Sequence, residues 1–282
     1  MEIIVRKTAG FCYGVKNAVD KTMEELESNE PIYCLGELVH NKQVTEELIK
    51  KGAIFIENIE DAKGKTIVRA HGVPKEVYKK AQKLGVEIKD LTCPKVIHIH
   101  NIVEEYRDKN YFIFVIGQKV HPETVGTLSF CGNNSVIIEK VDDIIEAIQT
   151  FKKKKIDNAL VIAQTTFSLE QFNIITKVLR EQIENLEIKN TICNATRKRQ
   201  EETEELSKFV DMMIIIGGKH SSNSNKLFEI ANKNCKKVLF IETKKEIDLD
   251  IVQNVEKIGI MAGASTPQKS IDEVIEFISK KC

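Results

Sequence analysis

Short apolar runs recur along the chain, separated by glycines and small polar loops. Ile32–Leu35, Ile54–Ile56, Thr66–Ala70 and Ile88–Asp90 form a first group, each run too short for a helix. Phe112–Ile116, Val136–Ile138, Leu160–Ala163 and Ile188–Thr191 form a second, and Met212–Ile216, Val238–Ile241 and Ile258–Met261 a third. Between them lie segments such as TEELIKKG and IIEAIQTF, whose apolar positions three and four apart predict amphipathic helices. Strands alternating with helices predict an α/β fold of small parallel sheets with right-handed crossovers. The third group lacks a fourth strand. In the first two groups the fourth strand runs directly into a cysteine, and Ile3–Lys7 runs into Cys12 in the same way. The N-terminal strand is therefore predicted to complete the third sheet. This gives lobe one at 9–93, lobe two at 94–193, and lobe three at 194–282 completed by residues 1–8.

The three groups are copies of one pattern. IYCLGELVHN, IFVIGQKVHP and MIIIGGKHSS are each a strand, a glycine and a polar residue four positions on. Their glycines, Gly36, Gly117 and Gly217, are spaced by 81 and 100 residues, and so are His40, His121 and Ser221. Cys12, Cys93 and Cys193 carry the same two offsets. Two separate landmarks sharing both spacings assign all three cysteines to one place in a repeated unit. A looser third landmark is the alanine ending TIVRAHGVP, LVIAQTTFS and IGIMAGASTP, at Ala70, Ala163 and Ala262, spaced by 93 and 99.

Charge narrows the function classes. Lys plus Arg and Asp plus Glu are 42 each, so the formal net charge is zero, which argues against nucleic acid as a partner. The run Lys152–Lys155 is expected to be a solvated loop. MEIIVRKT lacks the apolar stretch of a signal peptide, and no run reaches the length of a membrane span. The expectation is a cytoplasmic protein with no membrane partner, whose seven cysteines are reduced thiols or metal ligands.

In open α/β sheets, ligands bind beyond the carboxyl ends of the strands. The landmark loops all fall there. Three related lobes around a pseudo-threefold axis would bring Cys12, Cys93 and Cys193 to one metal centre with a coordination position left open. Several of these loops also begin helices, with Pro74, Pro122 and Pro267 suited to the first helical position and Asn41 and Ser168 to the N-cap. Helix N-termini aimed at one cavity make an anion site. The side chains expected there are His40, His71, His121, Thr165, Ser221, Asn223 and Ser265, with no arginine or P-loop lysine among them. Such neutral or weakly cationic donors suit a phosphate or diphosphate. Glu123 is the one carboxylate in this shell, a natural proton source beside a metal. Thr165 matches the loop tip better than Thr166.

With GFCYGV, LGELVHN, RAHGV, TCP, KVHPET, QTT, SSNS and GAST in place, the chain resembles the 4-hydroxy-3-methylbut-2-enyl diphosphate reductase family over essentially its whole length. That family catalyses the last step of the non-mevalonate isoprenoid pathway. The resemblance implies a trefoil of three α/β lobes around a central [4Fe–4S] cluster, one per chain. Cys12, Cys93 and Cys193 would hold it, and a labile fourth iron would take the substrate hydroxyl. It implies that His40, His71, His121, Thr165, Ser221, Ser222, Asn223 and Ser265 hold the diphosphate substrate, and that Glu123, with Thr165, delivers protons. The reaction would remove an allylic hydroxyl, giving isopentenyl or dimethylallyl diphosphate. Electrons would come from ferredoxin or flavodoxin, since the chain shows no flavin or nicotinamide fingerprint. His220 stands where many relatives are expected to carry asparagine, and no extra C-terminal domain is expected beyond Cys282.

Two alternatives compete. A quinolinate-synthase-like enzyme would also have three lobes and a three-cysteine cluster, but its dicarboxylate-type substrates call for more cationic anchors. An iron–sulfur redox sensor would need the cysteines without the histidine, serine and asparagine shell. Cys34, Cys131, Cys235 and Cys282 have no threefold counterparts: Cys34 is expected in the core, Cys235 and Cys282 at the surface. His98 and His100 are two apart on a predicted helix, so they do not share a face and are read as structural or solvent-facing rather than as zinc ligands.

Overall fold

The structure, a computed structural model, describes residues 1–28, 30–252 and 255–281. The chain opens with β1 (Glu2–Val5) and α1 (Tyr13–Glu25). Then come β2 (Tyr33–Leu35), α2 (Lys42–Lys50), β3 (Ile54–Ile56), β4 (Thr66–Val68), α3 (Lys75–Leu84) and β5 (Ile88–Asp90). After α4 (Pro94–Asp108) the pattern restarts with β6 (Phe112–Ile116), α5 (Pro122–Cys131), β7 (Ser135–Ile138), α6 (Ile144–Lys153), β8 (Asn158–Ala163), α7 (Leu169–Gln182) and β9 (Asn185–Ile188). After α8 (Asn194–Ser207) it restarts again with β10 (Met212–Ile216), α9 (Ser222–Asn234), β11 (Val238–Ile241), α10 (Leu249–Val252), β12 (Lys257–Ala262) and α11 (Gln268–Lys281). Among the described residues no helix is long and apolar enough to cross a membrane.

Three four-stranded sheets result, ordered β3-β2-β4-β5, β7-β6-β8-β9 and β11-β10-β12-β1. Every pairing is parallel. The order is the same in all three once β1, paired Glu2 to Lys257 through Val5 to Ile260, takes the fourth place. In each sheet the direction of winding reverses between the two central strands. That switch point opens a crevice at the strands' carboxyl ends. The glycine loops leave β2, β6 and β10, and the alanine loops leave β4, β8 and β12, so both loop families border the crevice of their own sheet.

The central strands are buried on both faces, as parallel strands covered by crossover helices must be. Phe112, Phe114 and Ile116 point to the side covered by α6 and α7, while Ile113 and Val115 point to the side that holds Ile99, Val103 and Cys131. The Phe112 ring meets Phe114 and Phe151 at 5.0 and 5.3 Å between centroids. Met212, Ile214 and Ile216 pack with Ile271, Val274 and Ile278 of α11, and Met213 and Ile215 with Leu206 and Leu227. Each such side chain contributes about 1.5–3 kcal/mol through burial.

By packing, the chain divides into two compact units. One comprises residues 1–16, 39–47 and 194–282 and holds the sheet containing β1; the other comprises 17–38 and 48–193 and holds the other two sheets. Within the second unit, the loop after β4 seats on α5. The Lys75 N–H donates to Ser129 Oγ at 2.9 Å, and a Cβ on Gly126 would stand 3.6 Å from Val73 backbone.

Several local expectations are corrected. The fourth strand of the second sheet is Asn185–Ile188, not Ile188–Thr191. Beyond Ile188 one backbone bond remains, Lys189 N–H to Val161 O at 2.9 Å, and then a side chain takes over, Thr191 Oγ1 accepting from Ala163 N–H at 2.8 Å in place of a backbone carbonyl. The N-terminal strand ends at Val5 rather than Lys7. Pro74 is the N-cap of α3 and Pro267 immediately precedes α11; of these three prolines Pro122 alone occupies a first helical position. Lys152 and Lys153 close the last turn of α6, where their charge suits the helix dipole, and Lys155 lies beyond it at φ 52°.

Candidate functional site

Each of the three repeat-related cysteines heads a helix. Cys93 is the N-cap of α4, while Cys12 and Cys193 directly precede α1 and α8. Each is fixed by its own backbone N–H to the loop after the third strand of its sheet. Cys12 donates to Ala264 O at 3.1 Å, Cys93 to Ala70 O at 2.9 Å and Cys193 to Thr165 O at 3.0 Å. All three thiols are half-buried. Cys34 and Cys131 are buried instead, and burial pushes both thiols up to about 12. Cys235 is buried, not exposed: its Sγ lies 3.4 Å from Lys237 O and 3.6 Å from Val210 O, turned inward although two lysines follow it. Cys282 lies outside the described residues.

The second unit gathers His71, His121, Glu123 and Thr165. His121 caps α5, its Nδ1 accepting from Glu123 N–H at 3.2 Å. An accepting Nδ1 leaves Nε2 as the N–H donor in the neutral ring. His71 meets it edge-on, with ring centroids 5.4 Å apart. Glu123 is 1 % exposed. Its two carboxyl oxygens are held by one residue: Thr165 N–H donates to Oε1 and Thr165 Oγ–H to Oε2, both at 2.6 Å. Burial raises the Glu123 pKa to about 7, opposed by the two Thr165 hydrogen bonds, which favour the charged form. Thr166 takes a different part, accepting from Gln164 Nε2 at 2.7 Å.

Gln164 was not singled out from the sequence. Its Oε1 accepts from Gln118 N–H at 3.0 Å and from Thr124 Oγ–H at 3.2 Å. It ties the glycine loop, the start of α5 and the alanine loop together around the Glu123–Thr165 pair. The signal lay in QTT, where an amide directly follows an apolar strand.

The first unit gathers His40, Ser221, Ser222, Asn223 and Ser265. Ser265 Oγ–H donates to His40 O at 3.1 Å. A Cβ on Gly218 would stand 2.6 Å from that same carbonyl, so only glycine admits the approach. Ser221 caps α9 by accepting from Ser224 N–H at 3.3 Å, and Ser222 and Asn223 form its first turn. Asn223 is 3 % exposed, yet neither its Oδ1 nor its Nδ2 has a hydrogen-bond partner among the described residues. A buried amide left open at both ends is costly unless a ligand or water engages it. By the 100-residue offset Asn223 is the counterpart of Glu123, at the second position of the equivalent helix.

His98 is exposed, and His100 is buried and stacked on Phe130 with centroids 4.2 Å apart. Burial lowers the His100 pKa to about 4, which makes it a neutral packing residue at pH 7.

The LytB protein family matches residues 3–279. A curated relative from Thermoanaerobacter sp. (strain X514), 4-hydroxy-3-methylbut-2-enyl diphosphate reductase, is 42% identical over 284 residues, covering 99% of this chain and 96% of its own. The solved E-1-hydroxy-2-methyl-but-2-enyl-4-diphosphate reductase of Plasmodium falciparum superposes with a TM-score of 0.90 at 29% identity, covering 99% of this chain and 88% of its own. A second solved structure, described as (E)-4-hydroxy-3-methyl-but-2-enyl diphosphate reductase, the terminal enzyme of the non-mevalonate pathway, gives 0.73 at 36% identity and covers 99% of both chains. Matched from end to end in sequence and in fold, the chain belongs to the LytB protein family.

Proposed function

We propose that the chain reduces 4-hydroxy-3-methylbut-2-enyl diphosphate to isopentenyl and dimethylallyl diphosphate, the last step of the non-mevalonate pathway. The observation that carries this reading is the buried Glu123 carboxyl held at both oxygens by Thr165. An acid whose pKa sits near 7 can give a proton at neutral pH and be recharged between turnovers.

The residues present fit a [4Fe–4S] cluster, one per chain. Three half-buried thiols head helices, each held by a backbone hydrogen bond, whereas Cys34 and Cys131 are buried in the packed interior of their sheets. We infer that Cys12, Cys93 and Cys193 hold it and leave its fourth iron open. When bound, the cluster supplies single-electron transfer and Lewis acidity. Ferredoxin or flavodoxin is the proposed electron source.

Overall, two electrons and two protons are consumed. The allylic C–O bond breaks, one proton completes the departing water and the other forms the new C–H bond. Thr165 Oγ–H donates to Glu123 Oε2 while the carboxyl is charged; once Oε2 carries a proton this bond reverses, Glu123 donates to Thr165 Oγ, and the hydroxyl proton turns toward the leaving oxygen. The Nε2–H of His121, His40, His71, the α9 N-terminal residues Ser221, Ser222 and Asn223, and Ser265 bind the diphosphate. They do so as neutral or weakly cationic hydrogen-bond donors and helix-end amides, with no arginine or lysine among them. Anaerobic incubation of the holoenzyme with the diphosphate alcohol and a one-electron reductant tests the reading. It predicts both isomeric diphosphates and water as products. A reducible cluster with no consumption of the alcohol would instead mark a redox sensor.

A further inference from the structure

Arg69 breaks the threefold pattern. In the other two repeats the residue before the landmark alanine is Ile162 or Met261, both apolar and buried, whereas in the first it carries a guanidinium. β4 stops at Val68, and Arg69 lies over the glycine loop, where a Cβ on Gly36 would stand 2.3 Å from its Nη1. Its Nε makes one long hydrogen bond, to Gly72 O at 3.5 Å. Among the described residues Arg69 has no other hydrogen bond and no carboxylate within ion-pair distance. Burial lowers its pKa, opposed by Glu57 and then Glu37 from beyond that distance. A half-buried cation with idle Nη groups costs stability unless a ligand or water engages it.

Arg69 lines a cavity of about 180 Å³ within the second unit, at the carboxyl ends of β2, β3 and β4. This end of a parallel sheet is where α/β folds bind small ligands. The inner wall is apolar, with Leu35, Ile59 and Val73 buried and Val77 half-buried. The outer rim is exposed and carries Glu57 and Glu76. Neither has an ion-pair partner among the described residues. Lys80 is also on the rim, but it is already paired with Glu60 at 2.7 Å. One cation on the inside, acids on the outside and an aliphatic wall between them therefore face a single space.

We propose that this cavity binds a small aliphatic α-amino acid, its carboxylate on the Arg69 guanidinium, its ammonium at Glu57 and its side chain against Leu35, Ile59, Val73 and Val77. The charges select this class. A phosphate would meet one unpaired cation but two unpaired acids, and a simple amine would leave Arg69 unanswered. A zwitterion answers both ends at once. The planar guanidinium can engage both carboxylate oxygens together. Size sets the side chain: a cavity of about 150 Å³ holds a benzene ring, so this one suits a side chain of valine or leucine size. None of these residues is assigned to the cluster or the diphosphate, so the site stands or falls apart from the reductase reading.

Equilibrium dialysis of radiolabelled L-valine against the anaerobically prepared holoenzyme tests this, with acetate, isobutylamine and inorganic phosphate as competitors. Valine should bind saturably, and each competitor should displace it at least about tenfold less well than unlabelled valine, the scale of one lost charge-assisted hydrogen bond. Glu57→Gln alters an exposed side chain, so the thermal midpoint should hold while valine affinity falls at least about tenfold. Arg69→Met should abolish binding. Arg69→Lys should restore only part of it, because an ammonium cannot meet both carboxylate oxygens in one plane. If Arg69→Met does not fold, Glu57→Gln decides alone. No saturable valine binding by the unsubstituted protein overturns the proposal, as does unchanged valine affinity in Glu57→Gln. Acetate or phosphate competing as well as valine also overturns it, because the cavity would then be a plain anion site.

Discussion

Burial sets the protonation of Glu123. Its folded pKa, about 7, lies above the ordinary carboxyl value of 4.5, so folding favours the protonated form. The stability this contributes is complete below pH 4.5 and lost as pH rises through about 7. Glu123→Gln keeps the neutral shape at every pH. Its thermal midpoint should therefore gain on the wild type between pH 5 and pH 8, and a parallel offset at both pH values would contradict the protonation assignment. Turnover of the same variant should fall by about 10²–10⁴-fold, the usual contribution of general acid catalysis, while substrate still binds. Near-normal turnover would remove Glu123 from the reaction. Asn223, open at both ends of its amide, should matter to binding instead. Asn223→Ala should weaken substrate affinity by about 1.5–3 kcal/mol in titration calorimetry, the scale of a hydrogen bond to a charged group. Unchanged affinity would place the diphosphate elsewhere. Glu123 and Thr165 could be singled out from sequence because the repeat set both at the same end of one sheet, although they are 42 residues apart. Burial of Cys235 could not, because its lysine neighbours suggest surface while the thiol faces the carbonyls of Val210 and Lys237.

At the level of elements, the site depends on how closely glycine loops let helices approach. Ser224 Oγ sits between Gly217 and Gly263, where an added Cβ would stand 2.2 and 2.1 Å away. Gly263→Ala should destabilise the fold by about 1–3 kcal/mol through overpacking. Adding Ser224→Ala should recover most of that, since the remaining contact would be 3.3 Å from the Ser224 Cβ. At Gly217 the same rescue should fail, because the Cβ–Cβ separation there would be 2.8 Å. Denaturant unfolding of the four variants decides it, and equal rescue at both glycines would contradict this account of the packing. Strands with long apolar runs, such as Phe112–Ile116 and Met212–Ile216, were legible to the residue. Their ends were less so wherever a side chain replaced backbone, as Thr191 does beside Ala163, because periodicity registers burial and not hydrogen-bond partners. Pro74 shows the same limit. Its fixed φ suits either the N-cap or the first helical position, and only the extended ψ of 147° decides between them.

Across the whole chain, one sheet order occurs three times, and the third copy borrows its fourth strand from the N-terminus. The borrowing was readable because the spacing of 81 and 100 residues made the missing strand conspicuous. The division into two packed units was not, since repeat spacing describes ancestry of the lobes and not how tightly each packs. The central claim is that each proposed lobe supplies one ligand to a single iron–sulfur centre. Iron per chain, determined on anaerobically purified Cys12→Ser, Cys93→Ser and Cys193→Ser beside Cys34→Ser, Cys131→Ser and Cys235→Ser, addresses it directly. The account predicts loss of iron and of the cluster absorbance in each of the first three and wild-type iron in each of the others. Full iron in any one of the first three would contradict it.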